Sequence, residues 1–435
     1  MALVAPVRHA SLLIASLAPL FLLACPAPGD KAPTWSADIA PLYARQCMAC
    51  HQEGGIAPFP LTTYAEAKET AEMAAAATAA RRMPPWNVDN SGDCQTYRDA
   101  RWLSDDEIAL IDAWVEAGAP EGDAVKDPAK PPTLDTLTGD DVVTVQMAES
   151  YTPRPSEEHP SDDYHCFILD PGLTEDRFLT GFEIQPGQPT EVHHMLAYAL
   201  LSDEAEQAAD ALDAAEEGPG WTCFGGGGVD GINLLAVWAP GTNVLRYPEG
   251  TGVRMKAGHR VVMQIHYNLA AGAEPDRTTL RLQTTPSIEK EAVLAPLSNN
   301  DIELPPGQSS VDLSMTVPLL GLGVEAIELH GVFPHMHTLG RTMRYEAKDT
   351  FDETEDSTLC LTDVPDWDFN WQQVHFYESP LILTAEQSVR LTCTWDTTSR
   401  SEVTRFGEGT GDEMCLVFSY LTLPGGGSIP GLSGN

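Results

Sequence analysis

The 435-residue sequence is short of positive charge: 25 Lys and Arg stand against 64 Asp and Glu, a formal net charge of −39. Nucleic-acid binding depends on Lys and Arg displacing counterions, and docking on anionic headgroups depends on the same residues. The composition argues against both, and no nucleic-acid partner is expected. Long apolar runs are also missing. After the first 24 residues no stretch approaches the ~20 apolar residues that a membrane-spanning helix needs. Internal repeats are absent to the eye, and aromatic residues make up only 7% of the chain. Hydrophobic residues do reach 43%, enough for ordinary globular cores. The length implies several domains rather than one core.

The first residues read as a targeting segment rather than as fold. Arg8 and His9 precede the apolar stretch Ser11 to Ala24, which ends Leu22-Leu23-Ala24-Cys25. Residues 1–24 fit a lipoprotein signal peptide, and Cys25 fits the lipidated mature N-terminus; an ordinary signal peptide with an incidental Cys is the alternative. The expectation is an exported protein of the bacterial periplasm or cell surface, attached to a membrane only through that lipid. An exported chain meets oxidising conditions, so disulfides are expected among its nine cysteines.

Two shifts of pattern divide the rest of the chain. From Thr34 to about Glu121 the spacing is helical, with candidate helices at Ile39–Gln46, Tyr64–Arg82 and from the Ser104 cap, with Glu107 three residues on, to Gly118. Residues 122–140 form a Pro-rich, charged linker. Then the pattern turns to period two: Val142–Val145, Phe178–Ile184, Val192–Leu200, Val261–Asn268, Thr279–Gln283 and Val311–Val317 read as strands between Gly/Pro turns, interrupted by an acidic helix from Asp203 to Glu217. The fold class is therefore multidomain: a small all-α domain (34–121), then two all-β antiparallel sandwiches of jelly-roll type, 141–290 and 291–425.

Cys47-Met48-Ala49-Cys50-His51 has the C-x-x-C-H spacing of covalent haem c attachment, with the thiols bonding the porphyrin and His51 offering one axial ligand. A zinc half-site or a redox dithiol fits less well, since no second Cys pair and no βαβ pattern accompany it. Met83, in a Pro-fixed loop after a helix, is the candidate for the opposite axial position; a packing methionine is the plainer alternative. Residues 34–121 as a whole resemble a small cytochrome c domain.

Five histidines fall into three tight, strand-borne groups: His193-His194, His266, and His335 with His337. Residues i and i+2 share a face of a strand, so His335 and His337 can chelate one ion. His193 and His194 are adjacent and point to opposite faces unless the strand ends or twists there; His266 would complete a three-histidine site. Met414 could join His335 and His337. Imidazole suits copper in either oxidation state, and thioether favours Cu(I).

The segments His193-His194-Met195, Gln264-Ile265-His266-Tyr267-Asn268, His335-Met336-His337-Thr338-Leu339-Gly340 and Asp412-Glu413-Met414-Cys415 together resemble the copper type II, ascorbate-dependent monooxygenases over about residues 140–425. The resemblance implies two sandwiches, each holding one copper and facing a solvent-filled cleft. It implies an electron-storing copper on His193, His194 and His266, with Gln264 near it, and an oxygen-binding, catalytic copper on His335, His337 and Met414. It also implies disulfides Cys166–Cys223 and Cys393–Cys415, leaving Cys94 and Cys360 unassigned. Peptide-hydroxylating members grip a carboxylate with an Arg, an Asn and a Tyr; the matching positions here are Phe333, Leu416 and Phe418. The expectation is therefore hydroxylation of a C–H bond in an apolar small molecule by dioxygen, with two coppers and one haem c as cofactors. Haem c, fed by an external donor, would stand in for ascorbate. The alternative is a non-catalytic electron-transfer or copper-handling lipoprotein.

Overall fold

The computed structural model describes residues 31–155, 160–241, 244–270, 272–349 and 358–430. The signal segment 1–24 and Cys25 lie outside the described residues. Among the described residues no helix is long and apolar enough to cross a membrane.

Within residues 34–121 the helices pack as a unit around Ile39, Leu42, Tyr43, Met48, Ile111 and Trp114. Its first helix begins as a wide turn, Trp35–Ile39, before Ala40–Gln46. The long Ala-rich segment is two helices, Tyr64–Glu69 and Ala71–Ala79. The two meet at Thr70, whose backbone (φ −105°, ψ 7°) leaves the helical region and whose hydroxyl turns back to the Glu66 carbonyl. Ser104 and Glu107 close a full capping box on Asp105–Glu116.

The β region packs two layers twice. In the first half, a five-stranded sheet runs Trp221–Thr222, Asp162–Leu169, Val261–Asn268, Val192–Leu200, Ile232–Trp238. It faces Val142–Gln146, Thr279–Thr285, Arg177–Gln185 and Thr251–Met255 across a core that includes Leu179, Phe182, Met195, Ile265 and Leu280. In the second half, the four-stranded sheet Val311–Pro318, Gln387–Trp395, Gly340–Asp349, Leu359–Val364 faces Lys290–Ser298, Cys415–Thr422, Ala326–Met336 and His375–Thr384. The acidic helix spans Asp203–Asp213, capped by Ser202.

The expected border at 290/291 falls inside one strand. Lys290–Ser298 pairs in parallel with Thr251–Val253 through its first three residues and antiparallel with Leu416–Leu421 through its last six, so a single nine-stranded sheet runs through both halves. The linker is tied down as well. Glu183 accepts hydrogen bonds from the Leu137 amide and the Thr136 hydroxyl, and Arg246 pairs with Asp135.

Residues 86–98 leave the helical unit and lie along the second half. Cys94 is disulfide-bonded to Cys360, and Tyr97 stacks on Tyr377 at 5.2 Å. Trp86 and Tyr97 enclose His375, whose imidazole burial pushes from the usual 6.5 down to about 3. A histidine held neutral in the folded state binds its proton only after unfolding, so stability is lost as pH falls below about 6.5 toward 3. His375→Phe should therefore flatten the fall in melting temperature between pH 7 and pH 4.5; an unchanged slope would contradict this.

Candidate metal centre

His193 and His194 both reach one place because the strand is irregular there. Val192 pairs with Tyr267 and His194 with His266, with the register shifting at His193; this bulge re-aims one of the two adjacent side chains. The ligand-capable atoms of His193, His194 and His266 lie within 4.8 Å of one another. The Nδ1 atoms of all three are buried and have no hydrogen-bond partner. Three orphaned ring nitrogens aimed at one point are what a metal ion would satisfy.

The other ring nitrogen of His266 explains its orientation. Nε2 donates to Asp162 at 2.8 Å, and the Tyr164 ring stacks on His266 at 4.1 Å. Asp162 also accepts from the Thr410 hydroxyl at 2.6 Å. Although Asp162 is buried, these donors, the His266 ring foremost, hold its carboxyl below the usual range. It stays anionic and fixes the His266 tautomer that leaves Nδ1 free.

His335 and His337 end the strand Ala326–Met336 and open the turn after it. Their Nδ1 atoms are engaged, with Gln372 Oε1 at 2.6 Å and the Asp412 carbonyl at 3.2 Å, so each presents Nε2 instead. Burial holds all five imidazoles below their usual 6.5, His193 at about 3 and His335 at about 4. They are neutral near pH 7, as ligation requires.

Glu413 organises the turn. Its fully buried carboxylate accepts from the amides of His337 (3.1 Å), Leu339 (2.6 Å) and Met414 (3.3 Å) and from Trp395 Nε1 (2.9 Å). Burial pushes the carboxyl up to about 7 against the pull of those donors. One side chain thus ties the two-histidine turn to Met414, just ahead of the strand Cys415–Thr422. The disulfide Cys393–Cys415 braces that strand, and Cys166–Cys223 joins the first half near Gln264.

The two histidine groups meet directly. The His194 and His335 rings are 6.0 Å apart, where the resemblance implies separation across a cleft. Bonds from Tyr164 to the Glu408 carbonyl and from Thr410 to Asp162 draw the halves together. Phe369 stacks on His193 at 4.8 Å and approaches His337 at 6.2 Å. Its loop also supplies Gln372 and Trp367, whose indole N–H bonds the His337 carbonyl. The sequence pattern assigns no role to Asp162, Glu413, Phe369 or Gln372. The aromatic run Trp367-Asp368-Phe369-Asn370-Trp371-Gln372 is the one visible signal, in a chain with few aromatics.

Beside the histidines lies a cavity of about 720 Å³ lined from both halves. His194, His335 and Met414 border it, together with Phe333, Leu416 and Phe418. No Lys or Arg lines it among the described residues; Asp230 and Glu408 are its charged residues.

Residues 292–422 match the copper type II ascorbate-dependent monooxygenase C-terminal domain. That match contains His335, His337 and Met414. The chain is 28% identical to the DBH-like monooxygenase protein 1 of Gallus gallus over 261 residues, 55% of this chain and 40% of that protein. It is 24% identical to the peptidyl-glycine alpha-amidating monooxygenase of Mus musculus, over 59% of this chain and 25% of that one. It is 22% identical to the tyramine beta-hydroxylase of Caenorhabditis briggsae, over 74% and 54%. The chain therefore spans about half or less of the length of these relatives. Copper is the metal these likenesses imply, and the imidazole and thioether donors fit it.

The C-x-x-C-H segment also has a defined setting. Cys47 and Cys50 are the free cysteines among the described residues; the other six are in disulfides. Burial, reinforced by Cys50 alongside, pushes the Cys47 thiol up to about 12. His51 directs Nδ1 to the Phe59 carbonyl at 2.9 Å, which leaves Nε2 available. Met83 lines a narrow cleft with Trp86, Arg101 and Trp102. Two spared thiols and an oriented imidazole fit a covalent haem.

Proposed function

We propose that the chain is a copper-dependent monooxygenase. It hydroxylates a C–H bond of an apolar small molecule: R–H, dioxygen, two electrons and two protons give R–OH and water. The observation that carries this is the three-histidine cluster of free Nδ1 atoms lying next to His335 and His337, with His194, His335 and Met414 bordering one cavity. Copper held there would supply single electrons to dioxygen. His193, His194 and His266 would hold one ion, and His335, His337 and Met414 the ion at the substrate cavity. Phe333, Leu416 and Phe418 exclude water and select an apolar body. Among the described residues no Lys or Arg lines the cavity to pair with a carboxylate substrate. Cys47, Cys50, His51 and Met83 would hold haem c, which supplies the electrons.

Two tests address the parts separately. Asp162→Ala removes the acceptor that fixes His266, and outer-shell partners of metal ligands are worth roughly 10–100-fold in metal affinity. Chelator competition should show a loss of that size at one of two copper sites; undiminished affinity at both contradicts the assignment. For the donor, stopped-flow spectra should show haem oxidation coupled to copper reduction. A haem that exchanges no electrons with copper would remove the haem from the mechanism and leave the oxygenase reading intact.

A further inference from the structure

We propose that Arg101, Gly241 and Trp371 form the route by which electrons pass from the group held at Cys50 to the centre at His335. The proposal rests on Cys47, Cys50 and His51 holding haem.

The contacts are continuous. Arg101 Nη1 lies 3.6 Å from Cys50 Sγ and 3.5 Å from the Gly241 carbonyl oxygen. Gly241 packs against the Trp371 indole so closely that a methyl group on it would lie 2.1 Å from the ring. Its φ of +100 suits glycine alone, and the missing side chain is what lets the indole pack against this residue. Trp371 is followed in the chain by Gln372, which bonds His335 Nδ1 at 2.6 Å. One guanidinium, one peptide and one indole thus bridge the attachment thiol and a proposed copper ligand.

Trp371 has features that packing does not require. It is buried, yet its indole N–H has no partner, a costly arrangement for a tryptophan. Its backbone is held by the Asn87 side chain, which bonds its carbonyl and, at 3.3 Å, that of Asp368. Asn87 belongs to the segment that leaves the helical unit, and the Cys94–Cys360 disulfide locks that segment to the second half. The strap therefore fixes the separation between the C-x-x-C-H segment and the Trp371 loop. Tunnelling falls off more steeply through gaps than through packed atoms, so a fixed, filled path matters. Each passage would move one electron, from ferrous haem iron held at Cys47 and Cys50 to Cu(II) held at His335, with no bond made or broken.

The test uses the full chain with haem and copper bound, without oxygen and with the haem reduced. Loss of the ferrous haem bands and of the Cu(II) paramagnetic signal is followed in wild type, Trp371→Leu, Trp371→Phe and Arg101→Met. Trp371→Leu and Arg101→Met should transfer roughly tenfold slower, the equivalent of ~1.4 kcal/mol in barrier. Trp371→Phe should retain most of the rate. Ascorbate added directly should reduce copper equally fast in all four, and the Cu(II) spectrum should be unchanged, which separates a lost route from a displaced Gln372. Wild-type rates in both Trp371→Leu and Arg101→Met overturn the route; should Trp371→Leu fail to fold, Arg101→Met decides. Absence of transfer in wild type overturns the haem donor itself, and the route with it.

Discussion

Glu413→Ala should lower the stability of the metal-free protein by roughly 4 kcal/mol or more, since each buried donor left unpaired costs about 1–3 kcal/mol. Four donors converge on this carboxylate: three backbone amides and the Trp395 indole. Glu413→Gln should be milder, because the donors are divided. Oε2 accepts from His337, Met414 and Trp395, and Oε1 accepts from Leu339 alone. An amide keeps one oxygen for the three and turns its NH2 toward Leu339, so the cost should be that of one lost bond, ~1–3 kcal/mol. Denaturant midpoints of the three proteins check the order wild type, Gln, Ala. An alanine variant within about 1 kcal/mol of wild type would show that Glu413 does not hold the turn.

Met414→Ala should abolish hydroxylation while leaving the fold and the haem spectrum in place. Met414 borders the cavity beside His335, and its strand is anchored independently by Glu413 and by Cys393–Cys415. Removing the side chain therefore deletes a donor without releasing the strand. Outer-shell partners of metal sites are already worth roughly 10–100-fold, and a ligand should exceed that, so turnover should fall by more than ~100-fold. Met414→His would supply a harder donor and should shift the balance toward Cu(II). Product formation in single turnovers checks this; near-normal turnover in Met414→Ala would exclude Met414 as a ligand.

The histidine groups were legible because positions i and i+2 share a strand face, and His335 and His337 stand two apart where the strand Ala326–Met336 ends. The strands themselves followed from β-branched runs between Gly/Pro turns. Less legible were the features set by tertiary contact. Whether His193 and His194 share a site depended on a bulge, which is a property of register against Tyr267 and His266 rather than of either residue. Asp162 lies 104 residues from His266 and Gln372 lies 37 from His335, distances over which no local pattern speaks. Sequence spacing also suggested two separate sandwiches. The strand Lys290–Ser298 belongs to both because its two ends find different partners. The Ala-rich helix that composition favoured is interrupted at Thr70, where the backbone leaves the helical region. The close approach of His194 and His335 likewise comes from bonds between distant segments, Tyr164 with Glu408 and Asp162 with Thr410.

Oxygen insertion would take place at the cavity that His335 and Met414 border. Mass spectrometry of product formed by the copper-loaded protein under isotopically labelled dioxygen, with a panel of apolar small molecules, tests it most directly. The expected result is a hydroxylated product carrying one oxygen atom from dioxygen, formed only when copper is bound. A hydroxyl oxygen drawn from water, or the same product from the copper-free protein, would contradict it.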